Sequence, residues 1–293
     1  MVLAEITTGK EFVDGGSLYS SVSPGITGGG FEALHVYDST VRAPSFCSFA
    51  GGPGCLLSGV GLGRPGIATT IAEVLVERSL VLGSRSDNDG GAGYPDGPAG
   101  IDAPSSVVMV FDSTVRGGAA GNYYAYPSGD CATLCFGSGG AAVVASELFH
   151  SSSTLTGGAG ATWHGRTSEF EPYVACPCTG PNGAPAVTDL RNTQLVRMLT
   201  MTNTPTVGGT LTLVHRGGRN AILLASDHLG APTRMPRQGL LFLRSPTTNL
   251  GTISPGPVSI PIPPVLALIG TEIAFQTLEA RWGLMRPVAG VIR

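Results

Sequence analysis

Four aspartates and four tyrosines fall in the 293-residue chain in a pattern that could do chemistry. Asp87, Asp89 and Asp96 share one Gly-rich stretch with Tyr94, and Asp130 shares another with Tyr123, Tyr124 and Tyr126. Flat aromatic faces suit the C–H patches of a sugar, and polar groups beside them suit its hydroxyls. A pair of carboxylates about 5–10 Å apart would add glycoside hydrolysis. A lyase would instead add Ca2+ and a basic residue, for which Arg42, Arg85 and Arg116 are at hand. Phe46 and Phe49 enlarge the aromatic set in a third stretch, beside the local pair Cys47/Cys55; Cys131/Cys135 form a second local pair.

Other motifs fail on spacing. Asp87-Asn88-Asp89-Gly90-Gly91 begins like a calcium loop, but an EF-hand needs Glu at the twelfth position, which is Pro98. A looser Ca2+ site on Asp87, Asp89 and Asp96 stays open, and no other cofactor is called for. Cys176-Pro177-Cys178 lacks the C-x-x-C spacing of a zinc ribbon, and His35, His150, His164, His215 and His228 show no H-x-x-x-H pattern. Gly137-Ser138-Gly139 is not a nucleophile elbow, because neither G-x-S-x-G nor alternating helices accompany it. The Gly-rich runs precede strands rather than helices, which removes the helix N-terminus that a phosphate cradle needs.

Composition narrows the classes further. With 44 Gly and 22 Pro, long helices are not expected, while 42% hydrophobic residues and a formal charge of −3 argue against disorder. Seventeen basic residues against twenty acidic give no reason to expect nucleic acid or an anionic membrane as partner. No window approaches 18 apolar residues, so membrane insertion is not expected. Cysteines paired in Gly/Pro-rich loops suit disulfides in an oxidising compartment. The expectation is therefore a secreted, extracellular protein whose signal peptide is absent from this sequence; reduced cysteines in a cytosolic protein are the alternative.

The elements that must carry these residues repeat. ALHVYDSTVRA (33–43), EVLVERSLVLG (73–83), VVMVFDSTVRG (107–117) and ELFHSSSTLTG (147–157) align with Ser39, Ser79, Ser113 and Ser153 in one column. Leu34, Val74, Val108 and Leu148 form an aliphatic column, and so do Val41, Val81, Val115 and Leu155. Inward positions run two apart, slip by three before the serine, and resume at two, which predicts strands joined by a sharp bend. The bend column reads Asp38, Arg78, Asp112, Ser152. A third short strand is expected ahead of each repeat, at GIATTI (66–71) and GIDAPS (100–105), with looser counterparts at 28–31 and 140–144. Three strands per repeat, like stacked on like, predict a right-handed parallel β-helix of about four rungs over 1–160. Three long loops, 43–65, 84–99 and 118–139, should leave it at one corner side by side and carry the candidate site. The outward column Thr40, Leu80, Thr114, Thr154 is too interrupted for an ice-binding face.

A Pro/Gly-rich connection is expected over 161–194, then a domain over 195–293. Seven short strands parted by turns, at 195–201, 209–215, 221–226, 240–244, 257–262, 270–280 and 287–293, predict an antiparallel β-sandwich. Here the run ISPGPVSIPIPPVLALIGTEIAFQTLEA, with Leu266, Leu268, Gly270 and Gln276, resembles the C-terminal sandwich module of large secreted planctomycete- and myxobacteria-type proteins. The upstream S-T-V-x-G-G endings resemble their β-helical regions. The resemblance implies an all-β fold and an extracellular setting, and it carries no catalytic residue across.

Taken together, the sequence points to an extracellular structural or adhesion module that binds polysaccharide or matrix through Tyr94, Tyr123, Tyr124, Tyr126, Phe46 and Phe49, in an oligomeric state left open. The alternative is a polysaccharide-cleaving lyase or glycoside hydrolase using Asp87, Asp89, Asp96 or Asp130.

Overall fold

A glycine-rich chain that alternates apolar and polar residues has strands as its main recourse, and the protein is all-β. The computed structural model describes residues 4–7, 26–28, 33–43, 63–86, 96–121, 137–162, 180–195, 199–236, 238–279 and 283–293. It divides into two compact units, Met1–Thr193 and Gln194–Arg293.

The strands of the first unit are β1 (Ala4–Thr7), β2 (Ile26–Gly28), β3 (Ala33–Tyr37), β4 (Thr40–Arg42), β5 (Ile67–Thr69), β6 (Glu73–Glu77), β7 (Leu80–Leu82), β8 (Ile101–Phe111), β9 (Thr114–Arg116), β10 (Val143–Ser151), β11 (Thr154–Thr156) and β12 (Ala186–Gln194). One sheet runs β1-β3-β6-β8-β10-β12, with β2 and β5 joined to it, and a second runs β4-β7-β9-β11. The repeats pair in parallel: Leu34 stands opposite Val74, Val74 opposite Val108, and Val108 opposite Leu148. Val41, Val81, Val115 and Leu155 stack the same way in the second sheet. These columns merge into one hydrophobic cluster with Ile67, Ile101 and Val143.

Between the sheets each repeat turns through one left-handed residue: Asp38, Arg78, Asp112 and Ser152 have φ of 46°, 48°, 48° and 52°. Aspartate tolerates this region and arginine does not favour it. Arg78 is held there by its N–H to the Phe111 carbonyl at 3.0 Å, and by Nε and Nη2 to the Asp38 carboxylate at 2.7 and 3.2 Å. Its Nη1 bonds Glu77 Oε1 at 2.7 Å. Burial works against the Arg78 charge, but Glu77 and Asp38 more than compensate, so the guanidinium is held even more firmly protonated than usual.

The serine that follows each bend satisfies the backbone of its neighbour. Ser79 Oγ accepts the Ser39 N–H at 3.1 Å, Ser113 Oγ the Ser79 N–H at 3.0 Å, and Ser153 Oγ the Ser113 N–H at 3.2 Å. Each hydroxyl donates in turn to the carbonyl two residues before it, as Ser113 does to Phe111 at 2.7 Å. Ser113→Ala strips the Ser79 N–H of this acceptor inside the core, and should cost about 1–3 kcal/mol. Denaturant unfolding checks this; a variant within about 0.5 kcal/mol of wild type would show the ladder to be dispensable.

Both ends of the large sheet exceed the repeats visible in the sequence. Strand β1 pairs β3 with Ala4 opposite Leu34, and β12, inside the stretch expected as a connection, joins β10. The leading strand of the first repeat is Ile26–Gly28 rather than 28–31, which sets Ile26, not a glycine, opposite Ile67.

The second unit holds β13 (Leu199–Met201), β14 (Thr210–His215), β15 (Ala221–Ser226), β16 (Leu229–Met235), β17 (Gly239–Leu243), β18 (Thr248–Ile253), β19 (Gly256–Pro261), β20 (Glu272–Glu279), β21 (Gly283–Leu284) and β22 (Val288–Val291), with a 3-10 turn at Leu266–Leu268. Strands β13-β14-β19 form an antiparallel sheet. The other sheet, β16-β17-β21-β20-β15-β18 with β22 on β20, is antiparallel except at β17–β21. Leu199, Leu211 and Leu213 from the first sheet share a core with Leu223, Phe275 and Val288 from the second. Strands β16 and β18 were not expected from sequence because they contain Pro232 and Gly251. Both are sheet edges, where one backbone side needs no partner and such residues are tolerated. At β18 the ladder skips Leu250, with Gly251 at φ 102°.

Candidate functional site

Between the strands of successive repeats lie segments with glycine three apart: Gly63/Gly66, Gly97/Gly100, Gly137/Gly140, Gly157/Gly160 and Gly180/Gly183. These segments lie outside the strand ladders and leave their N–H groups to neighbours. Here the neighbours are one another. Gly118 N–H bonds the Pro98 carbonyl at 2.7 Å, Gly140 N–H that of Gly118 at 2.9 Å, Gly158 N–H that of Gly140 at 2.7 Å, and Gly183 N–H that of Gly158 at 2.9 Å. The segments lie so close that a Cβ on Gly140 would stand 1.8 Å from the Pro98 oxygen, and one on Gly158 1.8 Å from the Gly118 oxygen. Only glycine permits this approach.

This lattice anchors the ends of segments 44–62, 87–95, 122–136 and 163–179. Buried Ser86 accepts the Gly63 N–H at 3.0 Å and donates its hydroxyl to the Asp96 carbonyl at 2.7 Å. Its own N–H reaches Ala119 at 3.0 Å. Asp96 Oδ1 takes the Ser138 N–H at 2.7 Å. Ala161 N–H reaches Gly137, and Gly180 N–H reaches Ala161, each at 2.8 Å. The roots of all four segments are thus bonded side by side.

The basic candidates Arg42, Arg85 and Arg116 fall among the described residues, and of the expected carboxylates, aromatic residues and cysteines Asp96 alone does. It is exposed, and its carboxylate ties the root of one segment to that of the next. Asp87, Asp89, Asp130, Tyr94, Tyr123, Tyr124, Tyr126, Phe46, Phe49, Cys47, Cys55, Cys131, Cys135, Cys176 and Cys178 lie outside the described residues. Among the described residues no three of His, Cys, Asp and Glu come together to hold a metal ion.

Sequence reasoning passed over two further clusters. On the sheet face opposite the aliphatic columns, buried His35, Tyr37, Glu73 and Glu77 adjoin Arg78. His35 Nε2 lies 3.6 Å from Glu73 Oε1, the His35 and Tyr37 rings meet edge-on at 6.3 Å, and the Arg78 guanidinium lies 5.9 Å from the Tyr37 ring centre. The signal was present as polar residues at alternate positions of otherwise apolar strands. Further along the same sheet, burial lowers the pKa of His150 below its ordinary value, against a hydrogen bond to Asn192 that raises it.

In the second unit, His215 Nε2 lies 3.0 Å from Glu279 Oε1, with both side chains nearly inaccessible. His215 follows Leu211 and Leu213 on the buried side of β14, so the pair links the two sheets of this unit. Gly217 leaves room for it, since a Cβ there would sit 1.9 Å from Glu279 Oε1. Sealed from solvent, the pair acts as a lock between sheets. The buried Gln276 works as a surrogate strand: Oε1 accepts the Phe242 N–H at 3.0 Å, and Nε2 donates to the carbonyls of Leu240 at 2.8 Å and Met285 at 2.7 Å.

No protein-family model matches the chain, and no similar curated protein or solved structure was found.

Proposed function

We propose that the protein is an extracellular structural or adhesion module that binds polysaccharide or matrix through the segments rooted in the glycine lattice. In this reading the first unit winds as a right-handed parallel β-helix and the second is a β-sandwich, in keeping with the secreted bacterial modules whose sequences it resembles. The observation that carries it is the convergence of four segment roots on one hydrogen-bonded platform. A rigid base with neighbouring insertions is the usual way to assemble a recognition surface from loops. Segments 44–62, 87–95 and 122–136, rooted there, contain the Phe and Tyr residues whose aromatic faces would stack on sugar rings.

Pull-down on a panel of insoluble and immobilised polysaccharides tests this. Tyr123→Ala, Tyr124→Ala and Tyr126→Ala combined should abolish retention on the neutral polysaccharide that the wild type prefers. Retention unchanged in that variant would remove the loop face as the binding surface. Release of reducing ends or unsaturated uronate by the wild type would replace adhesion with catalysis.

A further inference from the structure

The outward face of the β4-β7-β9-β11 sheet is a flat, regular surface distinct from the segment platform. One column runs Thr40, Leu80, Thr114, Thr154, and the next runs Arg42, Leu82, Arg116, Thr156. Arg42, Arg116, Thr114, Thr154 and Thr156 are exposed. Arg85 follows three residues after Leu82 and is exposed as well. The Gly83 N–H to Arg116 and the Ser86 N–H to Ala119 keep its segment in step with the neighbouring repeat.

Among the described residues the charges on this face do not balance. Asp38 is engaged by Arg78 at 2.7 Å, and the face otherwise sets Arg42, Arg85 and Arg116 against Asp112. Among the described residues, none of these three arginines forms an ion pair with an acid; Glu77, Asp38 and Glu147 pair with Arg78 and Arg191. A cationic patch therefore stands out on a chain with formal charge −3. Arg42 and Arg116 lie two strands apart in one column, about 9.6 Å at the roughly 4.8 Å spacing of a sheet. That is close to the length of a disaccharide, and threonine hydroxyls flank both positions.

We propose that this face binds an acidic polysaccharide bearing one carboxylate or sulfate per disaccharide, with successive anions on Arg42 and Arg116 and Arg85 beside them. Guanidinium groups pair with carboxylate and sulfate through two parallel N–H···O bonds; Leu80 and Leu82 lie on the strand between the two arginines, and Thr114, Thr154 and Thr156 reach sugar hydroxyls beside and beyond Arg116. The proposal does not depend on the loop reading, because its anion contacts are Arg42, Arg85 and Arg116 and not the Phe and Tyr residues of the segments.

The test measures binding of the full chain to immobilised hyaluronan, to neutral dextran and to a single-stranded DNA oligomer. Hyaluronan should be retained and dextran not, with retention falling as salt screens the contacts. Arg42→Gln with Arg116→Gln should weaken hyaluronan binding about tenfold or more, with melting unchanged because both side chains are exposed. The Tyr123→Ala, Tyr124→Ala, Tyr126→Ala variant should bind hyaluronan as the wild type does, which separates this surface from the platform. Absence of hyaluronan retention, or equal retention by the double arginine variant, overturns the proposal. Equal or tighter binding of the DNA overturns it too, in favour of an unselective anion surface.

Discussion

Replacing Gly140 with alanine is expected to unfold the first unit, a loss of more than about 4 kcal/mol. The added methyl would stand 1.8 Å from the Pro98 oxygen, 2.3 Å from the Pro98 carbonyl carbon and 2.6 Å from the Gly97 oxygen. All three are backbone atoms, so no rotamer change can clear the space. Moving the segments apart would lengthen the Gly140 N–H bond to Gly118 and the Gly158 N–H bond to Gly140, at 2.9 and 2.7 Å. The relaxation that softens most overpacking would therefore break hydrogen bonds. Gly218→Ala is the matched control, because a Cβ there meets nothing within 4 Å; it should be neutral or stabilising by up to about 1 kcal/mol. Thermal and urea unfolding of both variants decide the matter, and a Gly140→Ala protein melting with the wild type would show that the lattice is loosely packed.

Gln276→Leu is the second substitution expected to have a large effect, here in the second unit. The side chains are similar in volume, so packing hardly changes and the result reports hydrogen bonding. Leucine would orphan the Phe242 N–H and remove a donor from the Leu240 and Met285 carbonyls. At about 1–3 kcal/mol for each buried group left without a partner, the loss should reach about 3–6 kcal/mol. The residue beside it provides a contrast of opposite sign. Thr277 Oγ1 is buried and finds no partner among the described residues, so Thr277→Val should leave stability unchanged or raise it. Urea unfolding in which Gln276→Leu loses less than about 1 kcal/mol would mean that the β17 backbone groups find water instead.

Much of this architecture is legible in the sequence, because burial writes itself into alternation. Leu34, Val74, Val108 and Leu148 announced a ladder, and the three-residue slip before Ser39, Ser79, Ser113 and Ser153 announced a bend, which the backbone makes through left-handed Asp38, Arg78, Asp112 and Ser152. Strand β12 escaped notice because Thr188, Asp189, Arg191 and Asn192 carry no aliphatic column. The edge strands β16 and β18 were hidden by Pro232 and Gly251. Glycine in threes, as at Gly97/Gly100 and Gly137/Gly140, was plain in the text of the chain. Against periods of two and 3.6 it stands as punctuation, whereas glycine at every third residue lets neighbouring segments approach backbone to backbone. Gln276 stood out as a motif position, but its role depends on β17 being separated from β20 by the two-residue β21, a distance no pattern encodes. Asp96 looked like a member of an acidic set, and its partner, the backbone of Ser138, lies 42 residues away in sequence.

The shared footing of the four segments also bears on how such a protein can change over generations. Their ends are spaced by backbone hydrogen bonds such as Gly97 to Ser138 and Gly180 to Ala161, so the gap each segment must span is the same whatever its length. Closing a longer span costs only about 0.6 kcal/mol for each doubling of its residues. Insertions and replacements between 44 and 62, or between 122 and 136, can therefore accumulate with little penalty while the repeats beneath stay in register. Substitution can rewrite the segments' sequences and leave the foundation alone.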